Sequence, residues 1–358
     1  MTPLLIPTRN RPTALSNVLR YLARFHNFTQ VIIADGSNDS YKNLNRQTVE
    51  ALKHDLAIDY RPYPADLPLF DRLLDVIGGE SSEFVIIGSD DDYPMMDTLG
   101  EAEAFLIEKK DYSVAVGMLV SLILDSPTAL KAHLFLARAI VNDFPHKRAR
   151  EFAQWPFQTT YAVTRRDVLI ERYKRARKLF VTGFHDFSVG IHDCMHGKIH
   201  ALPKIGFIRT KNYAHSYLKP EDDLIFLRRS DEVLRIVDQI TEDLMQSGGF
   251  NPGGAKAMSE AFITHRIAEL VGRPIHQTEG FELTPMYRNR TVQRQFEIFD
   301  TLFKKDTQVR REYEEKLTYI LSALKANAQS DDNKGEQKKN ETLESQAAQT
   351  LVAAPPPK

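Results

Sequence analysis

The run Phe84-Val85-Ile86-Ile87-Gly88-Ser89-Asp90-Asp91-Asp92-Tyr93 decides how this chain reads. An apolar segment of strand type ends in three successive carboxylates, with no basic residue among them. Like charges packed this closely repel, and each ion is costly to hold unless a cation or hydrogen-bond donors offset it. Two readings are open on these residues. One is an acidic turn at a strand end, because Asp is common at turns and helix starts. The other is a divalent cation holding a phosphorylated ligand, because hard cations such as Mg²⁺ take carboxylate and phosphate oxygens together.

Upstream, the same pattern occurs twice more. Leu4-Leu5-Ile6 is a short apolar strand running into the turn-rich Pro7-Thr8-Arg9-Asn10-Arg11-Pro12. Thr13 is the expected N-cap of a helix through about Phe25, with Leu15, Val18, Leu19 and Leu22 on one face. Val31-Ile32-Ile33-Ala34 is a second buried strand, ended by Asp35-Gly36-Ser37-Asn38-Asp39. Helices are expected around Tyr41 to Leu52 and Leu69 to Ile77, with a short strand at Ala57 to Tyr60 between them. Strand and helix alternating in this way describe βαβ units and a mostly parallel, Rossmann-like sheet flanked by helices. Ligands of such sheets collect beyond the carboxyl ends of the strands, and all three polar loops fall there.

Beyond the acids, Thr98 to Lys109 reads as helix and Ser113 to Leu124 as one or two core strands. Ala129 to Asn142 shows helical periodicity, and Gln158 to Thr164 is rich in strand formers. Asp167 to Lys178 reads as a basic amphipathic helix whose cations face solvent. From Glu221 helical patterns dominate to about Leu324, broken by a Pro252-bearing loop from Gly248 to Gly254. The polar end of the chain cannot bury enough apolar surface to fold. The expected organisation is a catalytic domain over 1–220, a C-terminal helical extension over 221–325, and a disordered tail over 326–358.

Composition narrows the function classes. The 358 residues are 42% hydrophobic and carry a net charge of −1, which argues against a general nucleic-acid binder. A single cysteine, Cys194, rules out an internal disulfide and fits a reducing compartment. No secretory leader is expected, and the longest apolar stretch, Val114 to Leu124, is too short for a transmembrane segment. A soluble, cytoplasmic protein is expected.

Taken in order, Ile6-Pro7-Thr8-Arg9-Asn10-Arg11-Pro12, Val31-Ile32-Ile33-Ala34-Asp35-Gly36-Ser37 and Ile87-Gly88-Ser89-Asp90-Asp91-Asp92 resemble the motifs of GT-A glycosyltransferases of family-2 type. Those enzymes carry a Pro-Thr-x-Asn-Arg-Pro strand exit, a Val-Asp-Asp-Gly-Ser exit and an Asp-x-Asp metal motif. The likeness covers about the first hundred residues well, and Ala34 departs from it where the family has an acid. It implies an α/β fold of GT-A type and a hexosyltransferase drawing on a nucleotide-sugar donor, with inversion by single displacement. The implied cofactor is Mn²⁺ or Mg²⁺. The implied donor-binding residues are Pro7, Thr8, Arg11, Asp35, Ser37, Asp90 and Asp91, and the implied metal ligands are Asp92 and His215. Three acids in a row leave the register of the metal motif open by one position. Asp35 equally suits a turn residue, and His215 an ordinary polar one.

The acceptor side is thinner. An inverting enzyme of this type needs a carboxylate to take the acceptor's proton, and the resemblance assigns Asp186 in Phe184-His185-Asp186-Phe187, with Asp193 second. A helix N-cap is the competing role for Asp186. Trp155, Pro156, Phe157 and Tyr161 suit either an acceptor wall or core. His192, His196 and His200 recur every fourth residue, but Gly197 interrupts them and a separate metal site is not expected. The acceptor class spans a glycan, a lipid-linked group or a protein, with peripheral membrane association compatible with surface polysaccharide assembly. A sugar-phosphate nucleotidyltransferase and a non-catalytic nucleotide-binding scaffold stand as alternatives; the first is disfavoured because the first strand exit has no glycine.

Overall fold

The computed structural model describes residues 2–26, 30–126, 129–177, 182–212, 230–247, 249–272, 290–302, 304 and 307–326. Four strands open the fold: β1 (Leu4–Thr8), β2 (Gln30–Asp35), β3 (Ala57–Pro62) and β4 (Phe84–Ile87). They lie parallel in the order β3-β2-β1-β4. The apolar runs of β1, β2 and β4 follow from burial on both faces; β3, at the sheet edge, is more polar and only partly buried. Leu4, Ile6, Val31, Ile33, Phe84 and Ile86 face one core, under α1 (Pro12–Phe25) and α4 (Met96–Glu108). Leu5, Ile32, Ala34, Val85 and Ile87 face the other, under α3 (Leu69–Gly79) and α6 (Arg166–Ala176). Each such side chain contributes roughly 1.5–3 kcal/mol when fully buried. Helix α2 (Asp39–Leu52) completes the first two crossovers.

Beyond β4 the sheet turns mixed. β8 (Ala162–Arg165) pairs antiparallel with β4 and with β6 (Tyr112–Ser126), and β9 (Lys198–Asn212) runs parallel to β6. The two-residue β5 (Tyr93–Pro94) closes the far edge on β9. Pairing decides one segment against its periodicity. Ala129–Phe135, expected as helix, is strand β7, because it folds back antiparallel on β6. A second core joins α5 (Pro145–Gln154) and α7 (Thr182–His196) to α8 (Ser230–Gln246) and α9 (Pro252–Gly272). α10 (Arg290–Leu302) and α11 (308–326) place Ile298, Leu302, Tyr313, Leu317 and Ile320 in the same core as Leu4 and Leu15. No helix among the described residues is long and apolar enough to cross a membrane.

Helix boundaries correct two local expectations, and burial corrects a third. α1 starts at Pro12 with Arg11 as its N-cap, so Thr13 lies inside the helix; proline's fixed φ suits the first helical position. Pro252 likewise opens α9, where the Asn251 Oδ1 accepts from the Gly254 amide at 2.8 Å, instead of lying in a loop. On α6 the basic residues do not all face solvent, for Arg172 is buried on Asp193.

β6 and β9 touch most closely at Gly117, where an added Cβ would lie 2.6 Å from the Gly206 nitrogen. Gly117→Ala is expected to cost about 1–3 kcal/mol through that backbone clash. Gly100, exposed in mid-α4 with nothing near its would-be Cβ, should gain about 0.5–1 kcal/mol on replacement by Ala. Denaturant titration of the two variants checks both signs, and a neutral Gly117→Ala would refute the close approach.

Candidate active site

Strand order reverses between β1 and β4, which places their carboxyl ends side by side. The β1 exit is a turn through Asn10, at φ 58° the one non-glycine residue with positive φ among those described. Asn tolerates that region better than most residues. The turn is bonded to the β2 exit: the Asn10 amide donates to Ser37 Oγ and the Asn38 amide to Asn10 Oδ1, both at 2.8 Å. Toward β4, Thr8 Oγ1 donates to Asp90 at 2.7 Å. Arg11 spans two acids, reaching Asp90 at 2.7 Å and Asp91 at 2.6 Å. The three exits therefore form one hydrogen-bonded unit.

Every oxygen of the acidic triplet accepts a bond. Ser89 Oγ donates to the second Asp91 oxygen at 2.5 Å. Asp92 accepts from the Tyr161 hydroxyl at 2.5 Å and from the Thr210 amide at 3.1 Å. Thr210 Oγ1 also donates to the Asp91 carbonyl at 2.7 Å, fastening β9 to the acidic turn. Asp90 and Asp92 are buried, and Asp91 is the most accessible of the three at 24% side-chain exposure. Burial pushes Asp90 up to about 7, with Arg11 pulling it down and Asp91 raising it. It pushes Asp92 to the same region, with Asp91 adding to the rise and Arg209 opposing it.

Asp35 shows the opposite balance. It is fully buried, but the Ser37 amide, Asn45 Nδ2 and the Tyr60 hydroxyl donate to it at 2.8, 2.8 and 2.6 Å. Burial raises its pKa, yet these bonds outweigh it and leave the carboxyl below its ordinary value. Beneath the same exit lies Arg72 of α3, whose Nη1 donates to the Thr8 and Ala34 carbonyls at 3.0 and 2.8 Å. Its Nε has no hydrogen-bond partner among the described residues, and a Cβ on Gly36 would strike the guanidinium at 2.5 Å. Burial, and then the nearby charge of Arg9, lowers the Arg72 pKa. Two cations thus approach the exits of β1 and β2, a placement suited to an anionic ligand.

Sequence reasoning missed Arg72, Tyr161 as a donor to Asp92, and Thr210. Arg72 had a legible signal: it shares the buried stripe of Leu73 and Val76. Tyr161 and Thr210 had none, because their roles depend on β8 and β9 arriving beside the acids.

Asp186 lies exposed on α7, inside the helix and not at its N-cap. Its charge acts on Tyr173, which burial pushes up to about 12 against the pull of Arg172, with Asp193 and Asp186 adding to the rise. Tyr173 stacks on Phe70 in the first turn of α3, at 5.6 Å between centroids. That turn follows the β3 exit, at the carboxyl rim of the sheet. Asp193 does not reach an acceptor: it is fully buried, held by Arg172 at 2.5 Å and by Thr159 at 2.6 Å. Of the three histidines, His192 and His196 share α7, while His200 is on β9 and stacks on Phe105. Phe157 packs against the second core. His215 lies outside the described residues.

Pro7 and Thr8 close β1, and their neighbours across the pair are Ala34 and Asp35. Among the described residues no three His, Cys, Asp or Glu groups converge into a preformed metal cage. The donor set fits a looser hold. Each carboxylate oxygen keeps a second lone pair, and Mg²⁺-like ions need only one or two carboxylates when phosphate and water complete the shell.

No protein-family model matches the chain, and no curated protein matches it in sequence. Solved structures do. The crystal structure of S. aureus TarS 1-349 is 15% identical with a TM-score of 0.49, over 94% of this chain and 92% of that one. Its complex with UDP-GlcNAc is 16% identical with a TM-score of 0.47, over 94% and 92%. A mannosyltransferase from Pyrobaculum calidifontis, in complex with GDP-Man and Mn²⁺, is 14% identical with a TM-score of 0.43, over 91% and 86%.

The raised Asp92 gives a pH signature. Between the ordinary carboxylate range near pH 4 and about 7, the unfolded chain has lost this proton while the folded chain keeps it. Fewer protons on the unfolded state mean that stability falls as pH rises through that window, and is level on either side. Asp92→Asn removes this loss. It should melt a few degrees above wild type at pH 8, with the gap closing toward pH 4. Thermal unfolding across that range decides the matter, and no gain at pH 8 would mean that Tyr161, Thr210 and Arg209 fully offset the charge.

Proposed function

We propose that this chain is a glycosyltransferase that moves a sugar from a nucleotide-activated donor to an acceptor hydroxyl, by single displacement with inversion. The observation that carries it is the convergence of the β1, β2 and β4 exits into one bonded site at the switch point of the sheet, where α/β folds take ligands. The order of those exits and, apart from Ala34, their content resemble the GT-A pattern of family-2 type.

In this reading Thr8, Arg11, Ser37 and Arg72 line the nucleoside and diphosphate, with Asp35 shaping the β2 exit. Asp91, the accessible carboxylate, and Asp92 beside it would hold a Mn²⁺ or Mg²⁺ ion. The bound ion would offset the charge gained by the departing nucleoside diphosphate. On the acceptor side the hydroxyl oxygen attacks the anomeric carbon, the bond from that carbon to the diphosphate oxygen breaks, and the proton passes to Asp186. A nucleotidyltransferase fits less well, because the β1 exit is built on Asn10 and Arg11 and lacks a glycine-rich phosphate loop. A scaffold is the weaker reading because buried acids raised by desolvation cluster at functional sites.

Purified protein incubated with UDP- and GDP-linked sugars and Mn²⁺ should release nucleoside diphosphate, and a chelator should suppress the release. Absence of both turnover and binding with every donor would end the proposal. Asp186→Asn should bind donor as wild type does and lose about 10²–10⁴-fold in transfer rate. Transfer at the wild-type rate would remove Asp186 from the role.

A further inference from the structure

Arg11 places a cation inside the acidic corner. As the N-cap of α1 it makes no side-chain capping bond, and its guanidinium reaches the acids. The two terminal nitrogens take one oxygen from each of two carboxylates, Asp90 Oδ1 and Asp91 Oδ2. A guanidinium usually grips both oxygens of one carboxylate as a fork. Here it bridges two neighbours, which relieves the repulsion between them. Asp90 is closed on its other side by Thr8 and Asp91 by Ser89. The site is thus already offset by a charge of the protein's own.

We infer that Arg11 and a divalent cation compete for Asp91, so that the ion enters only as the diphosphate of the donor draws Arg11 away. This rests on reading the acidic corner as the donor site. A cation on the second lone pair of Asp91 Oδ2 would stand beside Nη2, and two positive groups sharing one carboxylate oxygen repel. The diphosphate resolves the conflict. It brings anionic oxygens that suit the planar guanidinium and the hard ion alike. Arg11 is partly exposed, at 30%, so an incoming ligand can reach its guanidinium. Arg11 then links the two binding events: each strengthens the other by the same factor. A metal-loaded site without donor, which would be open to water, is disfavoured.

Mn²⁺ alone is the probe, its free concentration followed by electron paramagnetic resonance with the full chain, with and without UDP or GDP. Wild type should bind Mn²⁺ weakly alone, and about 5–150-fold more tightly with the preferred nucleotide. Arg11→Gln should bind Mn²⁺ alone at least about tenfold more tightly than wild type, and should lose most of the gain from nucleotide. Arg11→Lys keeps a charge but cannot span two carboxylates, so its Mn²⁺ affinity should fall between the two. It carries the comparison if the Gln variant does not fold. If nucleotide promotes Mn²⁺ binding but both variants match wild type, the competition is refuted and the donor-site reading stands. If no form binds Mn²⁺ with either nucleotide, the competition and the metal reading fall together.

Discussion

Three adjacent carboxylates at the end of a buried strand are the constraint around which this molecule is arranged. Their mutual repulsion is met by donors drawn from across the chain: Thr8 and Arg11 from the β1 exit, Ser89 beside them, Tyr161 before β8, and the Thr210 amide on β9. Each donor depends on a wider feature. Thr8 needs β1 beside β4, Arg11 needs the Asn10 turn and the Pro12 helix start, and Thr210 needs the long β9 to reach the far edge. Loss of any of these leaves a buried charge without its partner, which is the costly direction of failure for such networks.

The two kinds of buried acid differ in purpose. Asp35 receives three donors and stays ionised, acting as a fixed joint between the β2 exit, α2 and β3. Asp90 and Asp92 are stabilised less than they are desolvated, so they sit near neutral pH in their titration. Folding alone has no need of that condition, and active sites commonly hold groups in it. The buried Arg172–Asp193 pair fastens α6 to the body of α7, the helix that carries Asp186. A buried ion pair is weak evidence of stability but can fix one arrangement. Here its geometric effect is to hold α7 against α6.

Much of the amino-terminal half was legible because each signal there is local. Leu4-Leu5-Ile6, Val31 to Ala34 and Phe84 to Ile87 are apolar on both faces, which a parallel strand under two helical layers requires. Their polar exits follow from turn chemistry. The later half was harder to read. Ala129–Phe135 has a helix-like spacing overridden by its pairing with β6, and Arg172 looks like a surface cation until Asp193 is seen beneath it.

The acidic run illustrates the division. By itself the sequence determined that three carboxylates stand at a strand end, that two further polar exits precede them, and that no cation stands among them. Those facts set the fold class and pointed to the site. Which cation answers the charge was decided by tertiary structure alone. Arg11 lies 79 positions from Asp90 along the chain and 2.7 Å from it in space, because parallel pairing of β1 and β4 aligns their exits. Charge neutralisation depends on distance in space, and that distance is set by strand pairing and not by position in the sequence.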